Sequence, residues 1–340
     1  MPHPPEIDVA DPTDFLAIAA LDRIAWIHTG EQFIPDGEHV WRVWCEHATV
    51  LICRGTPPSE STGDVLAAQT AATVPLYGQP MDLLAWPEGG VDADPLSDPA
   101  AAKALDRVVR SAEAPLLMNA ATTRGDDVFN TSLLWTADPT DRQWHDKVNP
   151  VPFGEYVPDR WFYELIVPDL VGLIQREYTP GTNPPIVQVG DVRVGLAICF
   201  DVIYDAVIWE AARAGAEMLV FQTNNADFRG TDENLQQLAF ARMRAIETGR
   251  AVVNVSTVGT SQVITPDGTT VDSIGVDTAG ASISTVPLRT GLTPAVVLGP
   301  WLTALIVLAA AGALTAAGFF HRARTRAAAA DRSTDPGRHP

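Results

Sequence analysis

The sequence is poor in cysteine, and this scarcity argues against two classes of site. Its 340 residues include three cysteines, Cys45, Cys53 and Cys199. Three cysteines cannot all pair with one another, and no spacing among them resembles a zinc-binding knuckle. We therefore expect no disulfide framework, no metal ion and no other cofactor.

Basic residues are also scarce relative to acidic ones. Lys and Arg number 23 against 42 Asp and Glu, which gives a formal net charge of −19. The segment after Phe320 contains five arginines and two aspartates, so the remainder carries about −22. Because so acidic a body repels phosphate backbones, we expect no nucleic-acid partner.

The N-terminus lacks the features of a secretory signal peptide. Its apolar run, residues 15–21, is short, lies between two aspartates and follows no basic segment. Residues 1–45 are rich in proline at the start, and the sequence assigns them no role. The route of export is therefore not apparent from the sequence.

Charged residues are missing altogether from residues 291–320, where Leu, Val, Ile and Ala dominate after Pro294. This run exceeds the ~20 apolar residues that a bilayer-spanning helix needs. The arginines that follow it predict, by the positive-inside rule, a basic cytoplasmic tail over residues 321–340 and a main body on the extracytoplasmic face of the cell membrane. A buried core helix is the alternative, which so long an uncharged run disfavours.

Residues 46–290 alternate between segments typical of strands and amphipathic helices, which predicts a layered α/β domain. Residues 148–185 are dense in Pro, Gly and aromatics and predict a long ordered loop with short helical pieces. In the helix at 232–248, Leu235, Leu238, Met243 and Ile246 are expected to form the core stripe. Strands are predicted at 48–53, 81–86, 115–120, 128–135, 186–189, 192–198, 217–222, 251–257, 261–265, 271–274 and 281–286, and helices at 64–74, 98–112, 203–214 and 232–248.

Three side chains with complementary chemistry follow predicted strands. Glu88 comes after the strand at 81–86, Lys147 lies in the loop after the strand at 128–135, and Cys199 ends its own strand. Loops at the carboxyl edge of an α/β sheet bring distant residues together. A thiol can attack an acyl group, a carboxylate can take its proton, and an ammonium can stabilise the resulting oxyanion. His145, two residues before Lys147, is expected to be an ordinary loop residue.

Three motifs occur in the same order in the nitrilase superfamily: WPE at 86–88, KVNPVPFGEYVP at 147–158 and ICFD at 198–201. The chain resembles the membrane branch of that superfamily, the apolipoprotein N-acyltransferases, of which PFGEYVP at 152–158 is a specific marker. The resemblance spans residues 48–325. It does not extend to the N-terminal membrane helices of that branch, so the chain looks like the catalytic half followed by the final helix.

This resemblance implies a nitrilase-like α-β-β-α sandwich followed by one C-terminal transmembrane helix. It also implies a ping-pong acyl transfer in which Glu88 is the general base, Cys199 the nucleophile and Lys147 the oxyanion donor. The acyl donor would be a membrane phospholipid. The acceptor would be the N-terminal amine of a diacylated apolipoprotein.

The resemblance further implies supporting roles for Glu155, Asp201 and Asn224. Asp201 stands where the family usually has Glu, Asp227 where it usually has Trp, and Pro150 where it usually has Leu. None of these departures removes a reacting group. Two alternatives therefore stay open: a nitrilase-type amide hydrolase that uses the same three groups, and a catalytically impaired truncated homologue.

Overall fold

The computed structural model of the protein describes residues 6–9, 51–54, 64–172, 174 and 177–333. Most of the segment 1–45, the start of the strand predicted at 48–53, and residues 334–340 lie outside the described residues. The strands are β1 (Glu6–Val9), β2 (Leu51–Arg54), β3 (Leu84–Ala85), β4 (Leu116–Arg124), β5 (Asp127–Trp135), β6 (Gln143–Asp146), β7 (Ile186–Val189), β8 (Val192–Ile198), β9 (Met218–Thr223), β10 (Ala251–Ser256), β11 (Ser261–Ile264) and β12 (Thr270–Ile274). The α-helices are α1 (Asp64–Thr73), α2 (Pro99–Ala112), α3 (Arg160–Ile166), α4 (Pro168–Val171), α5 (Asp205–Arg213), α6 (Glu233–Thr248) and α7 (Pro294–Ser333).

Ten of these strands form two sheets that pack face to face. One sheet has the order β3-β4-β5-β6 and the other β12-β11-β10-β9-β8-β7. Strands β8, β9 and β10 run parallel in the centre of the larger sheet, as do β3 and β4 in the smaller one. Strands β1 and β2 form a separate antiparallel pair.

Three apolar clusters define the layers. Leu117 and Leu134 of the smaller sheet pack against Val187, Leu196 and Val220 of the larger one, which joins the two sheets. A second cluster joins α1 and α2 to the outer face of the smaller sheet, and a third joins α5 and α6 to the outer face of the larger sheet. The predicted α-β-β-α sandwich is therefore confirmed.

Local sequence signals set the helix ends. Asp98 caps α2 with a side-chain oxygen that accepts from the backbone N–H of Ala100 at 2.7 Å, and Pro99 occupies the first helical position, where its missing N–H costs no helical bond. Helix α6 ends at Gly249, which adopts a φ of 67° that disfavours a residue with a Cβ.

Several sequence predictions were wrong. Residues 281–286 do not form a strand, and β6 was not predicted. Because β6 intervenes, Lys147 directly follows this strand instead of lying in an open loop after β5. His145 is buried within β6 and is not a loop residue.

The core stripe expected on α6 was also wrong in part. Leu238 is buried, whereas Leu235, Met243 and Ile246 are each more than half exposed. The buried face of α6 is instead formed mostly by small and polar residues: Gln237, Leu238, Ala241, Arg244, Ala245 and Thr248. These positions still follow helical spacing.

Helix α7 contains, among the described residues, the one segment long and apolar enough to cross a membrane, Pro294–Gly318. Its first turn is attached to the sandwich, because Val296 is buried against Trp209 and Ala212 of α5. Arg213 donates to the carbonyl oxygen of Val296 at 2.5 Å. Since Pro300 has no N–H to pair with that oxygen, the arginine satisfies an acceptor that the helix leaves free.

Candidate active site

Glu88 follows β3 and is held where the two sheets meet. The carbonyl oxygen of Glu88 accepts from Thr257 Oγ1 at 2.8 Å, and that of Trp86 accepts from Gln222 Nε2 at 2.7 Å. The side chain of Glu88 is 7% exposed. Its Oε1 accepts from Asn130 Nδ2 at 2.8 Å and from Lys147 Nζ at 3.3 Å.

Lys147 is 1% exposed and its ammonium lies between two carboxylates. Nζ is 3.3 Å from Oε1 of Glu88 and 2.8 Å from Oε2 of Glu155. The backbone around Lys147 is held on both sides, since its N–H donates to Asn130 and its carbonyl accepts from Gly181. A Cβ at position 181 would collide with the backbone of Asp146, so this approach requires glycine.

Glu155 completes the acidic pair as the supporting residue expected from the sequence. One of its oxygens accepts from Lys147 and from Asn130, and the other accepts from the backbone N–H of Val151 at 2.7 Å. The PFGEYVP segment therefore folds back so that its carboxylate reaches the lysine eight residues earlier. Glu155 and Glu88 share both donors, Asn130 and Lys147.

Two buried asparagines that no sequence motif indicated organise these acids. Asn130 on β5 donates to both carboxylates, and its oxygen accepts from Asn119 on β4 at 2.8 Å. The oxygen of Asn119 accepts in turn from the backbone N–H of Gly89 at 2.8 Å. Because an unpartnered asparagine is costly to bury, two asparagines within apolar strands indicate a buried hydrogen-bonded site. This was the signal in the sequence that could have identified them.

Cys199 directly follows β8 and has an unusual backbone conformation. Its φ is 47°, in the left-handed region, and it begins a short 3₁₀ turn over Cys199–Ile203. The side chain is partly exposed and the thiol is free. Its Sγ accepts from Gln237 Nε2 at 3.3 Å and also interacts with the backbone N–H of Asn224. Gln237 belongs to none of the motifs recognised in the sequence.

The remaining supporting residues act on the loops around these groups. Asp201 is fully buried, and its carboxylate accepts from the N–H groups of Val148 and Asn149 and from the Asn149 amide, at 2.8–3.1 Å. It therefore fixes the chain immediately after Lys147. The side-chain oxygen of Asn224 accepts from the N–H of Ala226 at 3.0 Å, so Asn224 approaches the sulfur through its backbone.

Burial and neighbouring charges shift the ionisation of all three candidate reacting groups. Burial raises the pKa of Glu88, although attraction to Lys147 opposes this shift. Burial alone would lower the pKa of Lys147, but attraction to Glu88, Cys199 and Glu155 outweighs it and raises that pKa. Burial, reinforced by the charge of Glu88, raises the pKa of Cys199 to about 12. At neutral pH the site therefore contains a thiol, an ammonium and a carboxylate with increased proton affinity.

These groups are arranged for nucleophilic catalysis by sulfur. The carboxylate of Glu88 can accept the thiol proton, and the ammonium of Lys147 can face negative charge that forms next to the sulfur. The structure brings Glu88, Lys147 and Glu155 into direct contact and places Cys199 within their electrostatic reach. Among the described residues, no cluster of His, Cys, Asp and Glu is placed to hold a metal ion.

Comparison with known proteins gives consistent results. The chain is 34% identical to an apolipoprotein N-acyltransferase of Mycolicibacterium smegmatis, over 69% of this chain and 40% of the relative. It is 31% identical to an apolipoprotein N-acyltransferase of Gloeobacter violaceus, over 58% of this chain and 38% of the relative. A crystal structure of an amidase from Nesterenkonia sp. aligns with a TM-score of 0.47 at 20% identity, covering 64% of this chain and 81% of the amidase.

The chain spans less than half of the length of the two N-acyltransferases just described. The resemblance inferred from the WPE, KVNPVPFGEYVP and ICFD motifs is confirmed by the alignments with the two N-acyltransferases. The carbon-nitrogen hydrolase family model matches residues 49–292, which include Glu88, Lys147, Glu155 and Cys199. The protein therefore belongs to the carbon-nitrogen hydrolase family.

Proposed function

We propose that the protein is a membrane acyltransferase that carries a fatty acyl group on Cys199 from a phospholipid to the N-terminal amine of a diacylated apolipoprotein. The observation that carries this proposal is the buried contact of Lys147 with Glu88 and Glu155, in a body joined to an apolar helix, with Cys199 in electrostatic reach of Lys147 and Glu88. Similarity to apolipoprotein N-acyltransferases supports the choice of donor and acceptor.

In the first half-reaction, Glu88 takes the proton from the Cys199 thiol as sulfur attacks the ester carbonyl of the phospholipid. Lys147 donates to the tetrahedral oxyanion, an interaction worth about 3–4 kcal/mol in comparable sites. The ester C–O bond then breaks, and Glu88 returns its proton to the departing oxygen of the lysophospholipid. The product is a thioester on Cys199.

In the second half-reaction, the amine of the apolipoprotein attacks the thioester carbonyl while Glu88 accepts an amine proton. The C–S bond breaks, an amide forms, and the proton passes to the departing sulfur to regenerate the thiol. Glu155 and Asp201 act as positioning residues throughout, since Glu155 holds Lys147 and Asp201 holds the loop after it. Asn224 supplies its backbone N–H to the sulfur.

We assign residues 46–290 to the catalytic domain, 291–320 to a membrane span and 321–340 to a cytoplasmic tail. The arginines after Phe320 support this orientation, which puts the catalytic domain on the extracytoplasmic face of the cell membrane. In this arrangement the donor lipids are the bilayer that surrounds α7. The acyl group is therefore available without a soluble carrier.

The test uses the full chain reconstituted into vesicles whose phospholipid carries a radiolabelled acyl chain. The parent chain is expected to acquire label that hydroxylamine removes, and the Cys199→Ala variant none. Equal labelling of the two chains would refute the acyl-enzyme. Adding a peptide with an N-terminal diacylglyceryl-cysteine should then discharge the label into an amide, whereas the same peptide acetylated at its amine should not.

Two results would favour the alternatives. Ammonia release from small amides without any lipid requirement would indicate an amide hydrolase. A chain that acquires no thioester, although its Cys199 reacts with a soluble alkylating agent, would indicate an impaired homologue. The first result requires a folded site, and a cooperative unfolding transition in urea would separate the impaired homologue of the second result from a misfolded chain.

A further inference from the structure

Gln237 lies on α6 and contacts Cys199 from a helix that carries none of the charged residues Glu88, Lys147 and Glu155. Its Nε2 donates to the Cys199 sulfur at 3.3 Å, and its side chain is buried. Neither the mechanism above nor the sequence motifs use this residue. Either the nitrogen or the oxygen of a buried primary amide could face the sulfur, so the neighbouring hydrogen bonds must decide which of the two does.

The surrounding hydrogen bonds fix that orientation. Asn225 Nδ2 donates to Gln237 Oε1 at 2.8 Å and to a carboxylate oxygen of Glu233 at 3.3 Å. Ser256 Oγ donates to the oxygen of Asn225 at 2.7 Å while accepting from the backbone N–H of Gly259 at 3.0 Å. Because an ionised carboxylate can only accept, the Asn225 atom that faces Glu233 must be its amide nitrogen, which is therefore also the atom that faces Gln237.

The donor-to-acceptor order of these hydrogen bonds continues from Asn225 through Gln237 to the sulfur. The oxygen of Gln237 faces Asn225, so its NH₂ group faces Cys199 and the sulfur can only accept from it. The backbone N–H of Asn224 donates from a second direction. The thiol proton is therefore excluded from these two directions and is free to point at another acceptor, such as the carboxylate of Glu88, whose charge acts on the sulfur.

We propose that Gln237, oriented by Asn225 and Ser256, is a positioning residue that directs the Cys199 thiol proton away from α6 and stabilises the sulfur as it becomes negative. Its role rests on the proposed function insofar as Cys199 is the nucleophile. The hydrogen bond to a neutral thiol is weak, whereas the same bond to a thiolate is charge-assisted and stronger. The residue therefore favours the state from which sulfur attacks.

The test measures the intrinsic reactivity of Cys199, which does not depend on acyl transfer. The full chain in detergent is treated with iodoacetamide between pH 7 and 10. Trypsin then releases the peptide 194–213, whose only cysteine is Cys199, and mass spectrometry gives its rate of alkylation. The variants are Gln237→Leu, which removes the donor, and Gln237→Glu, which keeps the shape and the bond to Asn225 but presents an acceptor. Gln236→Leu is the matched control, since Gln236 is exposed on the same helix.

Loss of the donor should raise the apparent pKa of the thiol by about one unit. A tenfold smaller thiolate fraction, partly offset by higher intrinsic nucleophilicity, predicts alkylation roughly three-fold slower in Gln237→Leu at every pH below that pKa. Gln237→Glu should be slower still, and Gln236→Leu should match the parent.

Parent-like alkylation in Gln237→Leu or Gln237→Glu would overturn the proposal, and so would equal slowing in Gln236→Leu. If Gln237→Leu unfolds, Gln237→Met decides, since it fills a similar volume without a donor and adds no charge beside the sulfur; a purely space-filling role would leave its rate unchanged. A parent chain that forms no thioester, combined with slowed alkylation in the variants, would refute the proposed function but not this inference. Thioester formation in the parent, combined with unchanged alkylation in the variants, would refute this inference and leave the proposed function standing.

Discussion

Replacing Lys147 by methionine should destabilise the fold as well as abolish acyl transfer. Its ammonium lies 3.3 Å from one carboxylate oxygen of Glu88 and 2.8 Å from one of Glu155, with almost no exposure to water. At an effective dielectric constant of about 20, each contact contributes roughly 5–6 kcal/mol of attraction. Much of this offsets the desolvation of three charged groups, so the expected net loss is about 3–5 kcal/mol.

The loss should depend on pH in a direction that the structure fixes. Burial already raises the pKa of Glu88, and attraction to Lys147 opposes that rise, so Lys147→Met raises this pKa further. An acid whose folded pKa exceeds its unfolded value loses stability as pH rises through the folded pKa. The deficit of the variant should therefore be larger at pH 8 than at pH 5, where Glu88 is protonated more readily.

Urea unfolding of the full chain in detergent, followed by tryptophan fluorescence, measures this effect. Lys103→Met is the matched control, because Lys103 is exposed on α2. Adding Glu155→Gln to Lys147→Met should restore part of the stability, since one uncompensated carboxylate is then removed. A Lys147→Met deficit below about 1 kcal/mol, or one that grows as pH falls, would refute this account of the site.

Three further predictions concern backbone strain, loop support and the helix joint. Cys199→Gly should be about 1 kcal/mol more stable than Cys199→Ala, because only glycine adopts a φ of 47° without strain; equal stability in urea would contradict this. Asp201→Asn should lower the free energy of unfolding by about 2 kcal/mol and slow thioester formation, because the single amide oxygen cannot accept from all three donors. Asp191→Asn, at an exposed turn, should match the parent in both assays. Arg213→Leu should lower the free energy of unfolding by about 1 kcal/mol, and by less in a Pro300→Ala background, where the new N–H of residue 300 can pair with the carbonyl oxygen of Val296. Additive losses in this double-mutant cycle would argue against the contact between Arg213 and α7.

Much of the sandwich could be predicted because its central strands are continuous apolar runs. Strands β7 and β8 begin and end where the sequence predicts, and α5, β9 and α6 differ by one or two residues. The failures have physical causes. Strand β6 reads Gln-Trp-His-Asp, which shows no apolar alternation, and residues 281–286 alternate well but pair with no strand.

The same contrast holds at the site. Glu88, Lys147, Glu155 and Cys199 could be identified because they belong to motifs of fixed order and chemistry. Gln237 could not, because its role depends on an amide orientation imposed through tertiary hydrogen bonds. The face of α6 was misjudged for a related reason: its alanines pack closely against the sheet, and alanine contributes little to an apolar pattern.

The high pKa of Cys199 has a consequence for the durability of the protein. Peroxides and disulfides react with thiolates far faster than with thiols, and a pKa near 12 leaves almost no thiolate at rest. In the orientation proposed above, where no cytosolic reductant protects the sulfur, such a nucleophile resists oxidation while no substrate is bound. In the proposed acyl transfer, the thiolate forms only as the proton passes from the sulfur to Glu88 during attack on the ester.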